Sequence, residues 1–150
     1  MTPSDPDVSL IAHVIQLAVA PVFLLTGVGA LLSVMTNRLG RVIDRARLVE
    51  GMWSSLDEAG RAAARIELDV LAHRGRLASW AINFCACAAL LVCSVVATLF
   101  IDAFLRTNLK WLVGALFIAA MIALIGGLSS FLREVYLATH TLRIGPPRKQ

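Results

Sequence analysis

The strongest chemical signal in this sequence is three guanidinium groups spaced for one helix face. Arg38, Arg41 and Arg45 stand at i, i+3 and i+7 within Asn37-Arg38-Leu39-Gly40-Arg41-Val42-Ile43-Asp44-Arg45-Ala46-Arg47, so a helix would bring them into one row. Beside a membrane such a row attracts anionic lipid headgroups, each charge contributing about 1 kcal/mol near the surface. It would equally pair with acidic groups on a protein partner, and Asp44 among the arginines suggests an ion-pair network. A plainer role is also open, in which the arginines simply hold one end of a membrane span inside the cell.

Thr26, Ser33 and Asn37 form a second polar set on one helical face. Hydroxyls and amides can replace ion hydration, so this face would line a pore in an oligomer. The commoner use of such groups is packing between helices, and Asn83 is read the same way.

Acid–base chemistry has little to work with. Glu134, Tyr136 and His140 follow the third apolar stretch, and His13 with Gln16 opens the first, but the middle of every stretch lacks a carboxylate or histidine. That argues against proton-coupled transport. His73 beside Asp69 would make a pH-sensitive joint or, more plainly, a seam-edge histidine held by its neighbour. Cys85, Cys87 and Cys93 lie within the second stretch and are expected as small packing residues, with no disulfide framework. Cys85 and Cys87 would point about 200° apart on a helix, so no metal site is expected. The sequence has no G-x-S-x-G, no H-E-x-x-H and no phosphate loop. A non-enzymatic protein with no cofactor is the expectation.

The elements that carry these groups follow from where charge is missing. Leu10–Met35, Leu77–Ile101 and Trp111–Leu132 contain no Lys, Arg, Asp or Glu. Hydrophobic residues make up 58% of the chain and mean hydropathy is +0.76, more apolar surface than a 150-residue soluble core could hide. A stretch of about 20 residues or more at about 1.5 Å each crosses the hydrocarbon layer. The predicted architecture is therefore all-α, one membrane domain, with spans at about 10–36, 77–103 and 111–132. The acidic start MTPSDPDVSL lacks the basic region of a signal peptide, so the first stretch is read as a retained span.

Basic residues fix an expected orientation. Residues 37–76 hold Arg38, Arg41, Arg45, Arg47, Arg61, Arg65, Arg74 and Arg76, and the tail 133–150 holds Arg133, Arg143, Arg148 and Lys149. Only Arg106 and Lys110 lie on the other side, twelve against two. The positive-inside bias then places the central segment and C-terminus in the cytoplasm and the N-terminus outside. The net charge of +4 sits beside the spans rather than on a free basic face, so nucleic acid is not an expected partner.

Within 37–76, Leu39, Val42, Ala46, Val49 and Trp53 step by threes and fours, as do Leu56, Ala59, Ala63, Ile66, Val70, His73 and Leu77. This predicts a cytoplasmic helical hairpin with a coiled-coil-like seam, packing within or between subunits. Ser55 to Glu58 fits a capping box, and Asp57/Arg61, Arg65/Asp69 and Asp69/His73 are i,i+4 pairs. Small residues mark helix contacts in lipid: Ala115, Ala119, Ala123, Gly126 and Ser130 in the third span, Ala78, Ala81, Cys85 and Ala89 in the second. The first span carries Thr26, Gly29, Ala30, Ser33, Asn37 and Gly40 within about a third of its circumference. Pro21 is expected to kink it. A homo-oligomer is expected from three such faces.

The run Ala20-Pro21-Val22-Phe23-Leu24-Leu25-Thr26-Gly27-Val28-Gly29-Ala30-Leu31-Leu32, followed by NRLGRVIDRAR, resembles small bacterial three-span inner-membrane proteins grouped as a domain of unknown function. The resemblance covers about residues 10–140. It implies location in the bacterial inner membrane and brings no catalytic or binding residues with it. The topology alone is also similar to motor channels of the ExbB type, an analogy of fold only. The leading expectation is a self-associating or partner-binding membrane component, with membrane lipids around it; an oligomeric ion-conducting channel lined by the first span is the alternative.

Overall fold

The computed structural model describes residues 6–105 and 108–140. Arg106, Arg143, Arg148 and Lys149, which enter the charge count above, lie outside the described residues, as does the side chain of His140. Three helices account for nearly all of the described chain: α1 (Pro6–Gly51), α2 (Glu58–Leu105) and α3 (Lys110–His140). Each contains a segment long and apolar enough to cross a membrane. A helix satisfies its own backbone hydrogen bonds, which hydrocarbon demands. Exposed hydroxyls follow the same rule: Thr36, Ser94 and Thr98 donate to Leu32, Leu90 and Ser94 carbonyls four residues back, at 2.8, 3.0 and 2.7 Å.

The first two spans do not stop where their apolar stretches do. α1 runs on through Arg38–Arg47 to Gly51, and α2 begins nineteen residues before its apolar part. The connection is short, a single 3-10 turn at Trp53–Ser55. Leu56 then goes extended (φ −85°, ψ 141°) and breaks the helical path. Asp57 restarts it by accepting the Gly60 N–H at 2.9 Å, the work of an N-cap. This corrects the Ser55 capping box, because the Ser55 hydroxyl is spent inside the 3-10 turn, donating to the Met52 carbonyl at 2.8 Å. At the other end, Asp102 accepts the Leu109 N–H at 3.0 Å and ties the end of α2 to the start of α3. α1 passes through Pro21 as one helix, with Pro21 buried.

Burial recurs at every seventh residue. In α1 the row is Val14, Pro21, Val28, Met35, Val42 and Val49; in α2 it is Ala64, Leu71, Ala78, Cys85 and Val92, with Ala81, Ala88 and Val95 between. In α3 it is Ala120, Gly127 and Glu134. α2 packs against both other helices. The core forms around Val28, Met35, Ala81 and Cys85, with Leu24, Leu32, Leu124 and Phe131 against it. Cys85 Sγ and Met35 Sδ meet at 3.9 Å.

α2 and α3 are in close contact at Gly127. A Cβ there would stand 2.7 Å from Cys85 Sγ and 3.2 Å from the Ala81 carbonyl oxygen, so only hydrogen fits. The small face expected in the second span is the one used: Ala78, Ala81 and Cys85 are buried. The face expected in the third span is turned from the true contact by about one residue. Ala115 is exposed and Ala119, Ala123, Gly126 and Ser130 are half-buried, flanking the row through Gly127.

The hairpin shows a similar offset. The α1 limb is as expected, with Val42 and Val49 buried. On the α2 limb, Ile66 is 68% exposed, and Ala59, Ala63 and His73 are exposed, while Ala64 and Leu71 face α1. The reason is continuity: α2 is one helix, so its limb must stay in phase with Ala78 and Cys85. The i,i+4 ion pairs expected there do not form among the described residues. Asp57 caps α2, and Arg65 lies over the Trp53 ring at 5.5 Å.

Candidate functional site

Where the arginine row of α1 leaves the apolar zone, all three helices contribute a charged group to one point. Glu134 continues the buried row of α3 and is 1% exposed. Arg74 of α2 donates from Nη2 to Glu134 Oε1 at 3.0 Å. Arg38 of α1 brings Nε to 3.4 Å from Oε2 and lays its guanidinium 5.5 Å from the Phe131 ring centroid. One buried carboxylate is thus held between two arginines that are 26% and 22% exposed. A buried carboxylate left alone would be costly, and removing either partner class would expose that cost. The pairing still leaves loose ends: Glu134 Oε2 and Arg74 Nε are buried without a hydrogen bond among the described residues.

Two helical turns further from the apolar zone, Arg45 Nε donates to Glu67 Oε1 at 2.7 Å across α1 and α2. Both of those side chains are about half exposed. Arg38, Arg41, Arg45 and Arg74, with Val42 and Leu71, line a recess of about 160 Å³. Arg38, Arg41 and Arg45 thus line the recess from α1, and Arg74 lines it from α2. The acids of the network differ from the expectation. Asp44 is exposed and makes no ion pair among the described residues; Glu134 and Glu67 take that part from other helices.

Glu134 was readable only as a tail residue, and Arg74 only as a positive-inside charge. The signal that would have found Glu134 is its spacing, seven residues beyond Gly127 and fourteen beyond Ala120. Arg74 likewise lies seven residues before Ala81 on α2. Tyr136 is exposed at 64%.

The second polar set stays apart from this site. Thr26, Ser33 and Asn37 are all exposed, and the Thr26 hydroxyl donates to the Val22 carbonyl at 3.4 Å. At about 100° per residue this face lies on the side of α1 opposite Val28, Met35 and Val42. A Cβ at Gly29 or Gly40 would meet nothing within 4 Å. His13, Gln16 and Asn83 are exposed as well. Among the cysteines, Cys85 packs in the core while Cys87 and Cys93 are exposed.

Three long apolar helices fastened at one end by a charged three-helix contact define a small polytopic membrane protein. The chain belongs to the family described as "Protein of unknown function (DUF2721)", whose model matches residues 18–144. No curated protein and no solved structure matches it.

Proposed function

We propose that this protein is a non-enzymatic component of the bacterial inner membrane that assembles with copies of itself through the outer face of α1. The observation that carries this reading is the position of Thr26, Gly29, Ala30, Ser33, Asn37 and Gly40. They gather small and polar side chains on the side of α1 turned away from its own core, with open space over Gly29 and Gly40. In lipid, such faces bring helices into close contact. The N-terminus lies outside, and the hairpin, the arginine recess and the C-terminus lie in the cytoplasm, as the twelve-to-two distribution of basic residues favours. The seven-residue spacing of buried positions supports a gentle coiling of α1 and α2 about each other through the hairpin.

Native mass spectrometry of the purified protein in mild detergent tests the assembly. Wild type is expected as an oligomer and Gly29→Leu as a single chain with unchanged helix content. A monomeric wild type, or a Gly29→Leu oligomer of the same size, would overturn the reading. A reporter fused to the C-terminus is expected to be active only in the cytoplasm.

A second reading, an ion-conducting oligomer, draws on the same exposed polar residues Thr26, Ser33 and Asn37. Copies meeting through this face would bring three polar rungs per chain to a common axis. Liposomes containing the oligomer and showing no ion flux under an imposed gradient exclude it.

A further inference from the structure

We infer that the recess between α1 and α2 is a binding site for a phosphate-bearing group, held by Arg38, Arg41, Arg45 and Arg74. Four guanidinium groups from two helices line a space of about 160 Å³, many times the volume that one ordered water needs. Among the described residues, two carboxylates answer them. Glu134 is shared by Arg38 and Arg74, and Glu67 takes Arg45. Arg41 has no carboxylate partner among the described residues, so two positive charges are left over at the recess.

One further feature points to an anion with several oxygens. Glu134 does more than neutralise. By holding Arg38 and Arg74 against one carboxylate, it fixes two like-charged groups from different helices side by side. Guanidinium forks fixed in this way match the spaced oxygens of phosphate, which a point charge would not. The floor of the recess is apolar, Val42 and Leu71. Arg38 lies three residues beyond Met35 and Arg74 three before Leu77, the ends of two apolar stretches. On the orientation proposed above, this is the level of the inner-leaflet headgroups, and the inference rests on that reading for its placement only.

The phosphate could come from a lipid headgroup or from a soluble molecule. Purified full-length protein in neutral detergent would be titrated with inorganic phosphate and, separately, with phosphatidylglycerol doped into phosphatidylcholine nanodiscs. Native mass spectrometry and thermal shift give the readout. Binding is expected at one site per chain, about tenfold weaker in Arg41→Gln, which corresponds to about 1.4 kcal/mol, and changed less than about twofold in Arg47→Gln. Arg41 is exposed and unpaired, so its variant keeps the fold; Arg74→Lys, which keeps the charge and loses the fork, is expected to weaken binding as well. A response to phosphatidylglycerol alone assigns a lipid headgroup, to inorganic phosphate alone a soluble ligand, and to both the shared chemistry. No binding of either probe by wild type, or equal weakening in Arg41→Gln and Arg47→Gln, overturns the site. The same spectra report oligomer size, so loss of the anion with the oligomer intact fails this inference alone, and the reverse fails only the assembly.

Discussion

Gly127 and Gly29 are both glycines in the middle of long apolar helices, yet their surroundings are opposite. At Gly127 the backbone of α3 is pressed onto α2, and a single methyl would run into Cys85 and the Ala81 carbonyl. At Gly29 the same methyl would meet nothing. One small residue is required by the protomer's own packing. The other is unused by it, which is why the outer face of α1 carries the proposal of self-assembly. Small residues in a membrane helix therefore divide into those that let the chain fold and those that leave room for something else.

Substitutions along the inner row and the outer face would break or sharpen that division. The largest effect is expected at Glu134, the inner-row residue that also carries charge. Glu134→Ala strands Arg38 and Arg74 and should destabilise the protein by about 3–5 kcal/mol, measured by denaturation in detergent. A loss below about 1 kcal/mol would show that solvent reaches the two arginines freely, since exposed pairs are worth that little. Next, Gly127→Ala should cost about 1–3 kcal/mol by overpacking against Cys85. Gly29→Ala should leave the protomer as stable or raise it by up to about 1 kcal/mol, because alanine is the better helix former. Equal effects at the two glycines would erase the distinction. A comparably small change, of opposite sign, belongs to Glu67→Ala. Its bond to Arg45, at 2.7 Å, is shorter than either contact of Glu134, but both partners are exposed, so the loss should be no more than about 1 kcal/mol.

The three helices long and apolar enough to cross a membrane were legible because they rest on a contrast that composition displays, charged against apolar. The contact face of α3 was not. In a membrane helix both the packed side and the lipid side are apolar, so hydrophobic periodicity carries no information about which is which. Ala119, Ala123 and Gly126 looked as good as Ala120 and Gly127, and only the close approach at Gly127 separates them. On the hairpin, Ile66 misled for the converse reason. It is a large apolar side chain at seam spacing, but the phase of α2 is set far away by Ala78 and Cys85. Glu134 stayed hidden because its spacing from Ala120 and Gly127 is informative only once that row is known to be the packed one, and its two partners lie 60 and 96 residues away.

α1 spans 46 residues without a break, about 70 Å at 1.5 Å per residue, while hydrocarbon takes up about 30 Å of that. Beyond Arg38 it continues for about 20 Å to Gly51, doubled by the antiparallel limb of α2. No hinge separates this stalk from the spans, since Val28, Met35, Val42 and Val49 form one uninterrupted line. A tilt or twist imposed on the Trp53 tip would act through unbroken helix on the clasp where Arg38, Arg74 and Glu134 meet.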